Sequence, residues 1–328
     1  MILKKSKIIA AGKAAAEHLI TNEDLSQMVD TNDEWIQSRT GIQTRRVSLQ
    51  ETTLDLATRA SLDALHKGDI DPETLDMIIV ATVTPDYFIP ACASLLQHRL
   101  GLNHRPMMAF DLNAACTGLI YAIQTAEKFI ATGSAKRVLV VGSETLSRIV
   151  DWTDRGTCVL FGDGAGAVIL EESDQEGILA DYTNSRGDAE LNLAMPAFPL
   201  DNPFQQESCS MTHQKMTMAG AEIFKFATFA IRDAMEELLS RSGLTMEDID
   251  LIIPHQANAR IIAKVARQMG LPMDKFFLNL SDYGNTSSAS IGLALAEAME
   301  QGRIHKGDHV ILVGFGGGLT WGGILHRF

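Results

Sequence analysis

Two hydrophobic periods alternate along the chain. Short apolar runs rich in β-branched residues, Met77-Ile-Ile-Val80, Val138-Leu-Val-Val141, Leu251-Ile-Ile253 and Val310-Ile-Leu-Val313, read as strands buried on both faces. Between them lie stretches with helical spacing, of which residues 119–130 are the clearest. The alternation predicts α/β layers with covered sheets.

The order of these signals occurs twice. In the first half, Asp71-Pro-Glu-Thr-Leu-Asp-Met-Ile-Ile-Val80 leads to Gln97-His-Arg-Leu-Gly-Leu102, a turn, a helix, and Ser134-Ala-Lys-Arg-Val-Leu-Val-Val-Gly142. In the second, Thr245-Met-Glu-Asp-Ile-Asp-Leu-Ile-Ile253 leads to Ala266-Arg-Gln-Met-Gly-Leu271, Asn285-Thr-Ser-Ser-Ala-Ser290, a helix, and Lys306-Gly-Asp-His-Val-Ile-Leu-Val-Gly314. Two copies of one α/β unit are expected to pack face to face about a pseudo-twofold axis, with a site at their junction. The charged stretch around Ser173–Gly177 divides them into residues 1–173 and 174–328.

Composition narrows the function. The 328 residues, 46% hydrophobic and 21% charged, suit a globular protein with a large core. A net charge of −13 argues against a nucleic-acid partner. Cys92, Cys116, Cys158 and Cys209 show no disulfide or CxxC spacing, which fits reduced thiols and a cytoplasmic protein. Lys13 and Glu17 interrupt the N-terminal apolar run before it reaches signal-peptide length, and no stretch has the ~20 apolar residues of a bilayer span.

Chemistry concentrates where strands end. Cys116, in Asn113-Ala-Ala-Cys116-Thr-Gly118, falls between a strand and a helix, where the helix N-terminus lowers a thiol pKa. A cysteine there can also be a small buried hydrophobe. His255 and Asn258 follow the strand 251–253, a usual position for α/β chemistry, although a histidine satisfied by local bonds reads the same way. Asn285 occupies the second-half equivalent of the Cys116 turn and can equally be a capping residue. The tail Gly314-Phe-Gly-Gly-Gly-Leu-Thr-Trp-Gly-Gly323 makes tight turns or presents backbone N–H groups to a reacting carbonyl. Cys158 reads as a core residue in a strand-like run, and Cys92 as a helix-start cysteine without such context. Arg260, Lys264 and Arg267 recur at i, i+4 and i+7 after Asn258, a cationic stripe on an acidic protein.

Taken together, AACTG around Cys116, PHQAN around His255, YGNTSSAS around Asn285 and the GFGGGLTWGG tail resemble β-ketoacyl-acyl carrier protein synthase III. So do residues 32–42, Asp154-Arg-Gly156 and Phe161-Gly-Asp-Gly-Ala-Gly-Ala167. The resemblance spans essentially the whole chain. It implies a duplicated thiolase-like fold with helices sandwiched between sheets. It also implies an acyltransferase that condenses an acyl-CoA primer with malonyl-acyl carrier protein and starts type II fatty acid synthesis as a homodimer.

By the same resemblance, Cys116 carries the acyl group, and His255 and Asn285 stabilise an enolate. The N–H groups of Cys116 and Gly317 form an oxyanion hole. Trp35, Arg39, Arg155 and Asn258 bind coenzyme A. Carrier protein contacts fall at Gln256, Ala257, Asn258, Ala259 and Arg260, to which the spacing of the cationic stripe adds Lys264 and Arg267, and Ile89 closes the acyl pocket. No metal or redox cofactor, nucleic acid or membrane is implied. Two positions depart from the pattern: Ala221 stands where an asparagine is usual, and Ile89 where acetyl-preferring members carry phenylalanine.

Gly314 in place of a second cysteine argues against a thiolase, and Asn285 in place of a second histidine against an elongating enzyme. The alternatives left open are a related condensing enzyme of secondary metabolism and, outside catalysis, an acyl-CoA binding protein.

Overall fold

A computed structural model of the protein describes residues 3–175, 177–198, 204 and 215–328. Cys209 lies outside the described residues. The apolar runs form two sheets. One has five strands in the order Lys5–Ala15, Gly164–Ser173, Arg137–Glu144, Met77–Ala81, Met108–Leu112. The other has four, in the order Ile178–Ser185, Thr320–Arg327, His309–Gly316, Leu251–Pro254.

Each sheet repeats one pattern. Met77–Ala81 is parallel to Arg137–Glu144, which is antiparallel to Gly164–Ser173, itself antiparallel to Lys5–Ala15. Leu251–Pro254, His309–Gly316, Thr320–Arg327 and Ile178–Ser185 follow the same sequence of directions. The strand Met108–Leu112 has only an isolated bridge, Ile252 to Phe276, as its counterpart.

Five layers result. The helices Gly118–Ala131 and Ala289–Glu300 contact strands of both sheets and form the middle layer. Thr53–Lys67 and Cys92–Arg99 cover the outer face of the first sheet, Gly220–Ser242 and Ala259–Met269 that of the second. Leu119, Ile120, Ile123 and Leu295 meet Ile79, Val140, Ile253 and Leu312 in the central core. Each such fully buried side chain contributes roughly 1.5–3 kcal/mol. Glycine permits the close approach of helix and sheet: a Cβ on Gly166 would lie 2.3 Å from the Leu293 amide nitrogen.

The two turns that feed the middle helices match in detail. Asn113 Oδ1 accepts the Ala115 N–H at 3.2 Å, and Asn285 Oδ1 accepts the Ser287 N–H at 2.9 Å. Ala115 and Ser287 both have left-handed backbones, with φ of 48° and 49°. By this alignment Cys116 in one half corresponds to Ser288 in the other. One local expectation fails: Cys158 ends a short helix, Arg155–Cys158, rather than lying in a strand, although its side chain is buried.

Candidate active site

Cys116 occupies a 3₁₀ turn, Ala115–Thr117, between the strand Met108–Leu112 and the helix Gly118–Ala131. Its side chain is buried, and the Ser287 side chain hydrogen-bonds the thiol. The expectation of a lowered thiol pKa is corrected here. Burial pushes it up to about 11, and the Ser287 bond offsets only part of that. The α-helix itself starts two residues further on, so desolvation outweighs the helix end. Cys92 is buried too, its thiol raised by desolvation, and Asp111 accepts the first two N–H groups of its helix.

His255 directly follows the strand Leu251–Pro254, with its N–H on the Val313 carbonyl. Its Nδ1 lies 2.6 Å from Ser290 Oγ, and its ring packs edge-on against Phe315 at 5.1 Å. Ser290 Oγ also accepts the Gln256 N–H at 3.4 Å; with its own hydroxyl proton donated to Nδ1, the ring proton would stand on Nε2. Burial lowers the imidazole pKa from 6.5 to about 3, which keeps the ring neutral at physiological pH.

Asn285 is held by its backbone, its N–H on the Leu160 carbonyl at 2.8 Å and its carbonyl taking the Gly162 N–H at 3.0 Å. With Oδ1 turned to Ser287, the amide NH₂ faces the other way.

Cys116, His255 and Asn285 line one cavity of about 210 Å³, together with Phe315 and Gly316. Trp35, Arg39, Arg155 and Asn258 line the same cavity. The Arg155 guanidinium lies 4.7 Å over the Trp35 ring, with Nη1 donating to the Asp30 carbonyl. Asn258 Oδ1 accepts the Arg260 N–H, starting the helix Ala259–Met269, and Nδ2 donates to the Arg39 carbonyl at 3.1 Å. A second cavity of about 570 Å³ meets the first at Cys116; its apolar wall includes Leu146, Phe161, Leu193 and Met216. Gly317 lines this chamber, and a Cβ on Gly316 would come within 2.8 Å of the Cys116 nitrogen.

Several expected contacts are not brought there. Gln256 is buried, its Nε2 on the carbonyls of Pro254 and Phe277 and its Oε1 on the Asn279 N–H, so it has nothing left for a carrier protein. Ala257 lines the smaller cavity and packs against the outer core of the second half, while Ala259 is half-buried against Gly41. Arg260 and Arg267 are exposed, but the Lys264 ammonium sits 5.2 Å over the Phe224 ring, so the stripe presents two free cations rather than three. Ile89 is 89% exposed and lines neither cavity; its neighbour Phe88 lines the larger one. Ala221 is exposed while Met218, Gly220, Ile223 and Phe224 around it line the smaller cavity.

Sequence reasoning missed Ser287, Ser290 and Phe315, and the apolar chamber. The serines lie inside the quoted Asn285 motif, and the match between the two turns was the signal that could have found Ser287. Among the described residues no cluster of three or more His, Cys, Asp or Glu could hold a metal ion, and no helix is long and apolar enough to cross a membrane.

Comparison with known proteins agrees with this geometry. Residues 110–187 match the 3-oxoacyl-[acyl-carrier-protein] synthase III family, and residues 239–328 its C-terminal region. The β-ketoacyl-[acyl-carrier-protein] synthase III of Clostridium acetobutylicum is 50% identical over 98% of both chains. The crystal structure of the Aquifex aeolicus 3-oxoacyl-[acyl-carrier-protein] synthase III superposes with a TM-score of 0.90 at 43% identity, covering 98% of this chain and 100% of that one. The priming β-ketosynthase of the R1128 polyketide pathway gives the same TM-score at 32% identity, covering 99% of this chain and 97% of that one. The fold is therefore the thiolase-like one, and the chain belongs to the 3-oxoacyl-[acyl-carrier-protein] synthase III family.

Proposed function

We propose that Cys116, His255 and Asn285 carry out in this chain the reaction of its family, with residues 1–173 supplying the nucleophile and residues 174–328 its two partners. The enzyme condenses an acyl-CoA primer with malonyl-acyl carrier protein, releasing coenzyme A and carbon dioxide and forming the 3-oxoacyl-acyl carrier protein that starts fatty acid synthesis. The observation that carries the assignment is the cavity Cys116, His255 and Asn285 share, together with its junction, at Cys116, with the apolar chamber.

In the first half-reaction Cys116 Sγ attacks the primer thioester carbonyl. The new C–S bond forms as the bond to coenzyme A breaks, and the thiol proton ends on the departing sulfur. Trp35, Arg155 and Arg39 hold the nucleotide end, Asn258 the pantetheine arm, and the apolar chamber the acyl chain. In the second, the malonyl C–C bond breaks and its electron pair moves onto the thioester as an enolate. The Nε2–H of neutral His255 and the Asn285 NH₂ donate to that oxygen. The enolate carbon attacks the Cys116 thioester, and the N–H groups of Cys116 and Gly317 receive the tetrahedral oxyanion before the cysteine is expelled. Each such donor is worth roughly 3–4 kcal/mol. The expelled Cys116 thiolate takes up one proton from solvent, which closes the cycle, with coenzyme A entering only as a substrate thioester.

Arg260 and Arg267 form the docking surface for the acidic carrier protein. A second copy of the chain covers the face bearing Tyr87, Phe88 and Ile89, which are 60%, 69% and 89% exposed and of which Phe88 lines the acyl chamber. Ile89 then acts on the partner's chamber rather than its own. A cytoplasmic location suits Cys92, Cys116 and Cys158, all free thiols. The test is a two-substrate assay with acyl-CoA primers and malonyl carrier protein, reading product mass. Product two carbons longer than the primer supports the reaction; primer hydrolysis without chain extension refutes it.

A further inference from the structure

Glu144 ends the strand Arg137–Glu144 and is fully buried, yet among the described residues no lysine, arginine or histidine bonds it. Its Oε2 receives the hydroxyls of Thr84 at 2.6 Å and Thr82 at 3.2 Å and the Val83 N–H at 3.0 Å. The Val83 N–H is shared with Oε1, at 3.3 Å, so Oε2 takes the larger share of the donors, as a carbonyl oxygen would. Its Oε1 lies 2.7 Å from Ser288 Oγ, and Ser288 Oγ lies 2.9 Å from the Ala81 carbonyl.

A hydroxyl has one proton, and the Ala81 carbonyl can only accept. If Ser288 donates to Ala81, the shorter contact to Glu144 requires a proton on Oε1. One proton there satisfies both contacts in a chain running from Glu144 Oε1–H to Ser288 Oγ–H to Ala81 C=O. Burial pushes the carboxyl pKa upward, in the same sense. The titratable groups in electrostatic reach are the thiols of Cys92 and Cys116, which a charge on Glu144 would raise further.

The duplication gives this pair a place. Ser288 corresponds to Cys116, and Glu144, two residues after Gly142, corresponds to Gly316, two after Gly314. In the working half the glycine backbone lies against the nucleophile. In the other half a carboxyl fills that space and caps a serine. Ser288 adjoins Ser287, which bonds the Cys116 thiol, and opens the helix Ala289–Glu300 that carries Ser290.

We propose that Glu144 is a positioning residue: held as the neutral acid, it locks Ser288 and so the turn that presents Asn285, Ser287 and Ser290. Its effect on decarboxylation rests on the roles proposed above for His255 and Asn285; its protonation does not. Glu144→Gln keeps one donor and one acceptor, so it should decarboxylate malonyl carrier within about threefold of wild type, whereas Glu144→Ala should lose about tenfold or more, the scale of an unpaired buried hydrogen-bonding group. The infrared difference between wild type and Glu144→Gln at neutral pH should show the carbonyl stretch of a protonated carboxyl. The wild-type rate should fall at alkaline pH where Glu144 ionises, and the Gln variant should lack that limb. A carboxylate band in place of the acid, or a Gln variant as impaired as Ala, overturns the proposal. The infrared arm needs no catalysis and reads the proton even if the assignment of Asn285 fails or Glu144→Ala does not fold.

Discussion

Ser290 Oγ lies 2.6 Å from His255 Nδ1, joining the strand end Leu251–Pro254 to the helix that follows Asn285. The bond fixes the orientation of the imidazole and, with Ser290 as the donor, places the ring proton on Nε2. His255→Ala and Asn285→Ala should abolish malonyl decarboxylation while leaving acylation of Cys116 largely intact. Ser290→Ala should follow them more mildly, lowering decarboxylation about tenfold, the scale of one lost buried bond. Rapid-quench measurement of the two half-reactions separates the cases. Variants that acylate poorly yet decarboxylate normally would reverse the roles.

Acid should weaken the fold through its neutral histidines. His326 Nε2 accepts the Ile8 N–H at 2.9 Å, its Nδ1 is buried without a partner, and burial lowers its pKa from 6.5 to about 3. The unfolded chain takes up this proton near pH 6.5 and the native state only near 3. The contribution is therefore whole above pH 6.5 and lost as pH falls from 6.5 toward 3, by up to about 1.4 kcal/mol per pH unit. His255 acts in the same sense. Between pH 6.5 and 5, thermal unfolding of His326→Gln should depend less steeply on pH than that of wild type. Carboxyl groups raised by burial are common to both proteins, so identical slopes would refute the assignment.

The parts of the site that local pattern could reveal were legible. Cys116, His255 and Asn285 are polar residues at strand ends and turns of a duplicated unit, and strand ends are set by sequence period. What depends on packing from afar was not. Gln256 looks like a surface residue until Phe277 and Asn279 close on it. Helical spacing put Lys264 in line with Arg260 and Arg267, but Phe224 arrives from another helix and covers its ammonium. Burial of the Cys116 thiol reversed the expected pKa shift, because desolvation is a property of the whole fold. Ile89 is 89% exposed and lines neither cavity, although its neighbour Phe88 lines the larger one, and which of two adjacent residues turns inward is set by tertiary packing.

The carrier surface should act through encounter. Arg260→Glu should lower turnover with malonyl carrier, Arg267→Glu less, and Lys264→Gln least. Primer transfer from free acyl-CoA should be spared. The carrier-dependent rate should fall with salt, since exposed charges are screened beyond about 10 Å at 0.1 M ionic strength. Equal losses with carrier and coenzyme A substrates would move Arg260 to the coenzyme A site or the fold.

Ile89→Phe should narrow the range of accepted primers toward acetyl without changing the fold, by filling the partner's acyl chamber. Competition between short and branched primers for acylation reads this directly. An unchanged primer profile would remove Ile89 from the chamber.

The central claim is that the acyl group passes through Cys116, a thiol that burial holds protonated. Incubation with a primer acyl-CoA alone, followed by peptide mass spectrometry, should place one acyl group on the Cys116 peptide, with one equivalent of coenzyme A released. Added malonyl carrier should then discharge it as 3-oxoacyl carrier protein. Label on Cys92 or Cys158, or persistence of covalent label in Cys116→Ala, would contradict the account.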